Sequence, residues 1–326
     1  MANWNTPRTP TMECPYIQAN SNGRLHDARE PGLPALDRGF LHGDSVYEVW
    51  RTYDGAIFAF DEHWLRLERS ARALAIPLLL GRAELAEQLR RTAAAFVERT
   101  GHVGPVHVRA QFSRGGGVLG LDPALAGDPH YLILVQRLRP VAMEKLRGGL
   151  RLTVAREVRR TPRDSLDPSW KTGNSLNNLL GLREAHQRGA DDVLLTNHAG
   201  RIAEASTSNV FFVRKHTIVT PPLGDGLLAG VTRALLLDRI AERLGAVALE
   251  ESVTPADLGF FDGCFLTSTT KDLVPVAAVD DQRFATGDLS LVWKLKAAFQ
   301  NFASEYALAH PELRFAAREP AVAAAQ

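Results

Sequence analysis

Lys171 is the residue whose surroundings most clearly suggest chemistry. It lies in the stretch DPSWKTGNSLNNLL, residues 167–180, between the bulky Trp170 and a small Thr-Gly-Asn turn. A lysine amine attacks a carbonyl only when it is partly neutral, and desolvation in a pocket lowers its pKa to suit that role. The segment therefore fits a Schiff-base lysine. An ordinary solvated loop lysine fits the isolated residue as well, so the choice depends on the rest of the chain.

Motifs of several other catalytic classes are missing from the sequence. The glycine-rich SRGGGVLG, residues 113–120, contains neither GK[ST] nor a GxGxxG between a strand and a helix, which disfavours a nucleotide cradle. The segment HGDSVYE, residues 42–48, lacks the closing glycine of a nucleophile elbow, and no HExxH occurs. Any enzymatic chemistry is thereby narrowed to a lysine or an organic cofactor.

Length and composition are typical of a globular protein with two domains. The chain has 326 residues, of which 45% are apolar and 23% charged, and its formal net charge is +1. This balance predicts no nucleic-acid partner, and short basic clusters such as REVRR (156–160) are expected to be solvated faces. Cys14 and Cys264 form no CxxC or paired Cys/His spacing, so we expect no zinc site and a reducing, cytoplasmic location. No signal-peptide pattern and no apolar run near the ~18 residues of a membrane span occur, which predicts no membrane association.

Strand and helix patterns in the first half position the candidate residues. The pair Asp54-Gly55, between two aromatic and β-branched runs, predicts a hairpin. The segment DEHWLRLERSARALAI predicts a helix with Asp61 as its N-cap, and Gly101 ends a second predicted helix. The buried stripe of the first helix is predicted to be Trp64, Leu67, Ala71 and Leu74.

The elements show no regular βαβ alternation, which favours two α+β lobes over a doubly wound sheet. A polar stretch around Pro140 marks the expected boundary. We expect a small N-terminal α/β domain over residues 1–139, an interdomain linker over 140–148, and a larger C-terminal domain over 149–326 that carries Lys171.

Six segments together resemble the class IV, or fold type IV, pyridoxal-phosphate aminotransferases. They occur in that family's order and are DRGFLHGDSVYEVWRTYDG, DEHWLRLERSARAL, KTGNSLNNLLGLREA, RIAEASTSNVFFV, LLAGVTR and FLTSTTKDLVPV. The family includes branched-chain and D-amino acid aminotransferases, (R)-amine transaminases and aminodeoxychorismate lyases. The resemblance implies a two-domain α+β fold of the D-amino acid aminotransferase type, with pyridoxal 5'-phosphate as cofactor.

The resemblance also implies a role for each matching position toward that cofactor. Lys171 would hold its aldehyde as an imine and then move the proton between Cα and C4′. Glu204 would keep the ring nitrogen protonated, because only the protonated ring works as an electron sink. Arg66 would contact the phosphate through its two-pronged guanidinium. The other implied cofactor contacts are Leu228 on the ring face and, at the phosphate, Val231, Thr232, Ser268 and Thr269.

The implied substrate contacts combine features of several branches of the family. A histidine at position 42 resembles the (R)-amine transaminases. The sequence around Tyr47 is closest to the D-amino acid aminotransferases. Arg51 and Arg109 match arginines of branched-chain enzymes, where the second receives a substrate carboxylate, and backbone amides near Thr270 are implied to help. Two aromatic residues typical of the family are replaced, one by His107 and one by Ser175.

The leading interpretation is an aminotransferase that moves an amino group between an amino acid and an α-keto acid through a Lys171 Schiff base and a pyridoxamine intermediate. The amino acid is expected to be of the branched-chain or D type, with secondary activity toward (R)-primary amines, and its chirality stays open. Two alternatives remain: an aminodeoxychorismate lyase on the same scaffold, and a non-catalytic binding protein. By analogy with the family we expect a homodimer, in which the opening motif of one subunit approaches the pocket of its neighbour.

Overall fold

The computed structural model describes residues 15–287 and 290–315, which form two β-sheets with helices packed against them. This mixed architecture agrees with the predicted α+β class. Cys264 is buried, and Cys14 lies outside the described residues. Within the described part of the chain, no helix combines the length and the apolar character needed to cross a membrane.

The first sheet contains six antiparallel strands in the order β2-β1-β6-β5-β3-β4. Asp54 and Gly55, between β3 and β4, have left-handed φ angles of 47° and 75°, which confirms the predicted two-residue hairpin. The strands are β1 (Gln18–Ser21), β2 (Arg24–Asp27), β3 (Ser45–Tyr53), β4 (Ala56–Ile57), β5 (Val106–Ser113) and β6 (His130–Arg137).

Three helices accompany this sheet: α1 (Arg38–Leu41), α2 (Phe60–Ala73) and α3 (Arg82–Thr100). The apolar stripe of α2 packs into the core of the sheet as predicted: Leu67 and Ala71 are buried, and Trp64 and Leu74 pack against them while partly exposed.

The predicted ends of these helices are right in one case and wrong in the other. Gly101 has a φ of 62° and ends α3 as predicted. Asp61 is not the N-cap of α2, because the N-cap is Ala59, two residues earlier, and the helix begins at Phe60. Asp61 therefore lies in the first turn, where a negative charge favours the helix dipole, and it pairs with Arg82.

The second sheet contains nine strands in the order β12-β11-β10-β13-β14-β7-β8-β9, with β15 paired to β14. Three of its pairs are parallel, namely β11 with β12, β14 with β7 and β7 with β8. The strands are β7 (Leu150–Val154), β8 (Asp192–Thr196), β9 (Ile202–Ala205), β10 (Asn209–Arg214), β11 (Thr217–Thr220), β12 (Val247–Glu250), β13 (Gly263–Ser268), β14 (Asp272–Val279) and β15 (Gln282–Arg283).

The second half of the chain also forms a set of helices. They are α4 (Met143–Gly148), α5 (Leu176–Gln187), α6 (Val231–Leu235), α7 (Ala241–Arg243) and α8 (Leu291–Ala309). A π-helical segment, Leu236–Ile240, joins α6 to α7, so residues 231–243 form one continuous helical run. Short 3-10 helices occur at Pro123–Leu125, Leu223–Asp225, Pro255–Phe260 and Pro311–Leu313.

Helix α8 connects the two halves of the molecule. Val292 and Phe299 pack in the core of the second half, and the Phe58 ring of the first half contacts both Phe299 and Tyr306 edge-on, at centroid distances of 5.7 and 5.1 Å. The Phe60 amide donates to the Tyr306 hydroxyl at 3.1 Å. Along the chain, the predicted linker over residues 140–148 follows the last strand of the first sheet, precedes the first strand of the second sheet and contains α4. The domain limits themselves stay a prediction.

Candidate active site

A cavity of about 380 Å³ lies where β3 and β5 of the first sheet face β9 and β13 of the second. Its wall is completed by the segment around Lys171, by α5 and by the start of α6. Every predicted catalytic and cofactor-binding residue lines it: Lys171, Arg66, Glu204, Leu228, Val231, Thr232, Ser268 and Thr269. Of the predicted substrate contacts, Tyr47, Arg109 and Thr270 line it as well.

Lys171 is held by backbone pairing with β3 rather than by a loop in solvent. Its carbonyl accepts the Tyr47 amide at 3.0 Å, and its own amide donates to Ser70 Oγ at 3.1 Å. The Lys171 Nζ lies 3.4 Å from the Tyr47 hydroxyl. The Lys171 charge lowers the pKa of the Tyr47 phenol, and Arg109 adds to this effect against the opposing influence of burial. The amine and the phenol thus form a hydrogen-bonded pair inside the cavity.

Glu204 is buried on β9 and is paired with Arg160, a residue that sequence analysis missed. The Arg160 Nη2 lies 2.7 Å from Glu204 Oε1, and the Leu228 amide donates to Oε2 at 3.1 Å. Burial raises the pKa of the Glu204 carboxyl, and the Arg160 guanidinium opposes that rise. The expectation that the REVRR cluster is a solvated face is wrong for Arg160, which is buried. Arg160, the last residue of this cluster, is directed into the protein toward Glu204, which is distant in sequence.

Arg66 is buried on α2 and bound by Glu48 of β3. Its Nε and Nη2 donate to the two Glu48 oxygens at 2.6 and 2.8 Å, and its Nη1 donates to the Ala229 carbonyl at 2.9 Å. His63 Nδ1 lies 2.7 Å from Glu48 Oε2. Burial alone would raise the pKa of Glu48, but the Arg66 and His63 contacts hold it well below its ordinary value. Glu48 therefore fixes the arginine as an ionised carboxylate.

Sequence reasoning also missed Glu48 and His63, although a signal for each was present. His63 lies one helical turn before Arg66, and Glu48 directly follows Tyr47. The other His63 ring nitrogen, Nε2, lies 3.5 Å from Thr269 Oγ1, so the same network reaches the turn after β13. Its members join β3, α2 and that turn around one wall of the cavity.

Two turns of the second half present polar groups to the cavity. Gly230 is the N-cap of α6, so the amides of Val231 and Thr232 lie at the start of the helical run 231–243. Thr269, Thr270 and Lys271 form the loop between β13 and β14. The buried hydroxyls of Thr267 and Ser268 have no hydrogen-bond partner within residues 15–287 and 290–315. An anion bound between these turns would therefore meet unpaired donors.

Arg109 and His107 lie on the opposite wall, on β5. The Arg109 guanidinium stacks on the Tyr47 ring at 3.6 Å and donates to Gln111 Oε1 at 2.8 Å. Neither of these two partners is a carboxylate. Burial and the nearby Arg109 lower the pKa of His107 to about 4, so its ring is neutral near pH 7. This wall offers one unpaired positive charge and one neutral imidazole.

Two predicted substrate contacts are not at this cavity. His42 is exposed and caps the C-terminus of α1. Arg51 pairs with Asp272 and lies over the Tyr53 ring, 4.2 Å from its centroid, and it does not line the cavity. Ser175, which replaces an aromatic residue of the family, lines the cavity as the N-cap residue of α5.

Comparison with known proteins gives consistent similarities. The amino-transferase class IV family matches residues 45–279. A putative branched-chain-amino-acid aminotransferase of Methanocaldococcus jannaschii is 32% identical, over 88% of this chain and 96% of that protein. A D-alanine aminotransferase of Bacillus licheniformis is 31% identical over 82% and 89%. An aminodeoxychorismate lyase of Bacillus subtilis is 28% identical over 84% and 92%.

A solved structure with the same architecture is a T.th. branched-chain amino acid aminotransferase complexed with N-(5'-phosphopyridoxyl)-L-glutamate. It is 26% identical to this chain and superposes with a TM-score of 0.80, over 91% of this chain and 97% of that one. The likeness therefore extends over both sheets.

Proposed function

We propose that this chain, which belongs to the amino-transferase class IV family, is a pyridoxal-phosphate-dependent aminotransferase acting between an amino acid and an α-keto acid. One observation carries the proposal: the Lys171 amine, the buried Glu204–Arg160 pair and the unpaired Thr267 and Ser268 hydroxyls all line the same cavity. A lysine, a buried carboxylate and a group of anion-binding donors are the three features that this cofactor requires of a protein.

Pyridoxal phosphate fits the residues that line the cavity. Its phosphate would be held by the unpaired hydroxyls of Thr267 and Ser268 and by the amides that begin the helical run 231–243. The Arg66 guanidinium, whose charge Glu48 balances, reaches this turn through the hydrogen bond from its Nη1 to the Ala229 carbonyl. Glu204, paired with Arg160, would provide the carboxylate oxygen that a protonated ring nitrogen needs.

The chain's own residues then supply proton handling and positioning. When bound, pyridoxal phosphate provides an electron-accepting ring that stores the electron pair released when a substrate C–H bond breaks. Lys171 holds and moves a proton at Nζ, and the Tyr47 hydroxyl, 3.4 Å away, is its hydrogen-bond partner. Because Lys171 and Arg109 lower the pKa of Tyr47, the phenol exchanges its proton more readily than an ordinary tyrosine.

The tight approach of Gly230 to Asn209 gives a test of this cofactor site. A Cβ at Gly230 would lie 2.0 Å from Asn209 Oδ1, so Gly230→Ala must displace the amide that donates to the Leu228 carbonyl at 2.9 Å. We expect affinity for pyridoxal phosphate to fall roughly tenfold or more, since losing a buried hydrogen bond costs about 1–3 kcal/mol. Equilibrium dialysis measures this affinity. Gly148→Ala, at a position with nothing within 4 Å of a new Cβ, is the control and should bind as the unaltered protein does.

We further propose that the substrate carboxylate is bound by Arg109, with His107 as a neutral hydrogen-bond donor. The support is that Arg109 is a cavity cation whose described partners, Tyr47 and Gln111, are not carboxylates, and such a charge favours an anionic ligand. Apolar side chains, including Val49, Leu166 and Leu182, line the same cavity and suit an aliphatic amino acid.

Arg109→Gln should therefore raise the KM for the α-keto acid about 10- to 100-fold, because a charged hydrogen bond contributes about 1.5–3 kcal/mol. We expect kcat to change much less, and Arg109→Lys to restore part of the affinity. Steady-state kinetics at saturating amino donor separates KM from kcat. An unchanged KM in Arg109→Gln would remove this residue from the substrate site.

The preferred amino donor is proposed to be a branched-chain or D-amino acid, with secondary activity toward (R)-primary amines. Relatives named for branched-chain and D-alanine transfer support the first two. A half-reaction panel of L-leucine, L-glutamate, D-alanine and (R)-1-phenylethylamine tests both substrate class and chirality, each followed by loss of the visible cofactor absorbance and its return with an α-keto acid.

The same panel, with aminodeoxychorismate added as a fifth compound, distinguishes the alternatives. A lyase would release pyruvate from aminodeoxychorismate and keep its absorbance, an alternative that the Bacillus subtilis relative keeps open. A protein that only binds the cofactor would respond to no amino donor. Return of the absorbance with an α-keto acid supports the aminotransferase, and either other pattern contradicts it.

We propose a homodimer in the cytoplasm, the location favoured by a sequence with two cysteines and no CxxC. An apolar surface patch supports the dimer: Phe40 of α1 and Val118, Leu119 and Leu121 of the nearby loop are each 69–79% exposed. Arg38 donates to the Gly120 and Leu121 carbonyls, so helix and loop form one surface. His42 caps this helix, which would bring it to a neighbouring subunit rather than to its own cavity.

Replacing both Phe40 and Leu121 with aspartate should dissociate the dimer, because two charges would be buried without partners at the interface. The mass measured by size-exclusion chromatography with light scattering should then fall from that of two chains, twice 35.7 kDa, to that of one chain. Leu65→Asp, at a site 55% exposed on α2, is the control for adding a charge to an exposed apolar position. A measured mass of one chain for the unaltered protein would contradict the proposed dimer.

A further inference from the structure

Arg51 has a partner that explains its position outside the substrate cavity. Side chains alternate along a strand, so Arg51 and Tyr53 lie on the same face of β3 as Tyr47 and Val49, which line the cavity. Arg51 Nη1 pairs with Asp272 Oδ1, and the Tyr53 hydroxyl donates to the same oxygen. Burial and the Asp272 carboxylate raise the pKa of the Tyr53 phenol well above its ordinary value, so it keeps the proton that it donates.

Asp272 closes the loop that carries Thr269 and Thr270. It pairs with Ser268 across the β13–β14 hairpin, so the loop contains three residues. Its φ of 56° lies in the left-handed region, where aspartate is tolerated better than most residues but glycine is preferred. A three-residue hairpin loop commonly ends on such a residue. The shape of the loop therefore depends on how Asp272 is held.

A third element contributes to holding Asp272. Lys296 of α8 is buried, its Nζ lies 3.9 Å from Asp272 Oδ2, and it donates to the Leu273 carbonyl at 3.1 Å. The carboxylate is thus contacted from β3 through Arg51 and Tyr53, and from α8 through Lys296. Strand β3 forms the wall of the cavity opposite the 269–271 loop. The contacts of Arg51 and Tyr53 with Asp272 therefore join the two walls.

We infer that Arg51, Tyr53 and Asp272 form a clamp that sets the position of the 269–271 loop relative to the cavity face of β3. Arg51 is then a positioning residue, in place of the substrate contact implied by family resemblance, because Asp272 already occupies its guanidinium. The inference rests on the proposed function, since the groups positioned are Thr269 and Thr270 on one side and Tyr47 on the other.

The inference is tested with four variants of the holoenzyme. Asp272→Asn removes the charge and keeps the shape, Asp272→Gly suits the left-handed φ but removes the clamp, Tyr53→Phe removes one hydroxyl, and Arg51→Lys keeps the positive charge. We measure kcat and KM with one amino donor and one α-keto acid, retention of pyridoxal phosphate by equilibrium dialysis, and the melting temperature. The dialysis needs no turnover, so it reports on the clamp even if the proposed reaction is wrong.

We expect Asp272→Asn and Asp272→Gly to lower kcat/KM about 10- to 100-fold and to weaken cofactor retention, because displacing a reacting group by about 1 Å has effects of that size. Tyr53→Phe should show the same changes to a smaller degree, and Arg51→Lys should keep most of both properties. Asp280→Asn is the matched control: Asp280 also has a left-handed φ, of 47°, and accepts from an arginine and a hydroxyl, Arg188 and Thr153, but away from this cavity. It should leave kcat/KM and retention unchanged.

Three results would overturn the inference. Wild-type kcat/KM and retention in Asp272→Gly would mean that only the backbone shape of the loop matters. A lower melting temperature without a change in kcat/KM, in the Asp272 variants as in Asp280→Asn, would mean a purely structural role. A raised KM for the α-keto acid with unchanged cofactor retention in Arg51→Lys would return Arg51 to the substrate. If the Asp272 variants do not fold, Tyr53→Phe tests the clamp with Asp272 unaltered, and wild-type kcat/KM and cofactor retention in that variant would overturn the inference.

Discussion

Replacing Lys171 with alanine is expected to lower the rate of amino transfer at least about 10³-fold, because the variant loses the group that moves the proton at the reacting carbon. The variant should also lose the covalent attachment of pyridoxal phosphate that borohydride reduction makes permanent in the unaltered protein. Mass spectrometry after reduction measures the attachment, and single-turnover absorbance measures the rate. Phosphate binding should largely remain, since the residues at the two turns are unaltered.

Lys145→Ala is the control for this change. Lys145 is a surface lysine whose side chain is 45% exposed and pairs with Asp191 at 2.9 Å, remote from the lining of the cavity. It should keep both the activity and the attachment. If Lys171→Ala remained attached after reduction, another lysine would have to carry the cofactor and the assignment of Lys171 would be wrong.

Replacing Arg160 with methionine is expected to shift the acidic limb of the plot of kcat against pH to higher pH. Burial already raises the pKa of Glu204, and the Arg160 guanidinium, 2.7 Å from Oε1, limits the rise. Without the guanidinium the pKa rises further, and the carboxylate that the cofactor ring needs exists only above that higher value. Near pH 7 we expect kcat to fall about 10²-fold. A pH profile of kcat between the acid and alkaline limits of stability measures the shift.

The same change has a defined effect on stability. A carboxyl whose pKa is raised in the folded state favours folding in its protonated form, so its contribution is present below the unfolded pKa and is lost as pH rises through the folded pKa. Arg160→Met should therefore lose more stability than the unaltered protein when pH is raised, and thermal unfolding at several pH values measures this. Arg159→Met, at the exposed neighbouring arginine, should change neither profile. Glu204→Gln should be slow at every pH, and an unshifted profile in Arg160→Met would contradict the role of the pair.

The position of residues within continuous motifs at the cavity was predictable because such motifs are local in sequence. Lys171, Glu204 and Thr232 were selected from short segments in a fixed order, and all three line the cavity. The Asp54-Gly55 hairpin and the Gly101 helix end were predictable for the same reason, since φ preferences belong to the residues themselves. Asp61 shows the limit of this reasoning, because a helix start can shift by two residues without changing the buried stripe.

The partners of charged side chains were not predictable. Arg160 was assigned to a solvated cluster, yet it pairs with Glu204, 44 positions away along the chain. No sequence motif indicates a role for Glu48, yet it is fully buried and binds Arg66. Each of these pairs forms only after burial excludes water from both charges, and burial depends on elements that are distant in sequence.

The sequence by itself determined the family, the α+β class and the cofactor class, and it selected Lys171 as the candidate lysine, because these follow from short motifs and from periodicities that act locally. Only the tertiary structure decided which arginine does what. Arg51, Arg109 and Arg160 all have long stems and the same charged group, but one meets Asp272, one stacks on Tyr47 in the cavity, and one meets Glu204. The physical reason is that a guanidinium on a flexible stem takes its role from the groups packed around it, which the fold brings together.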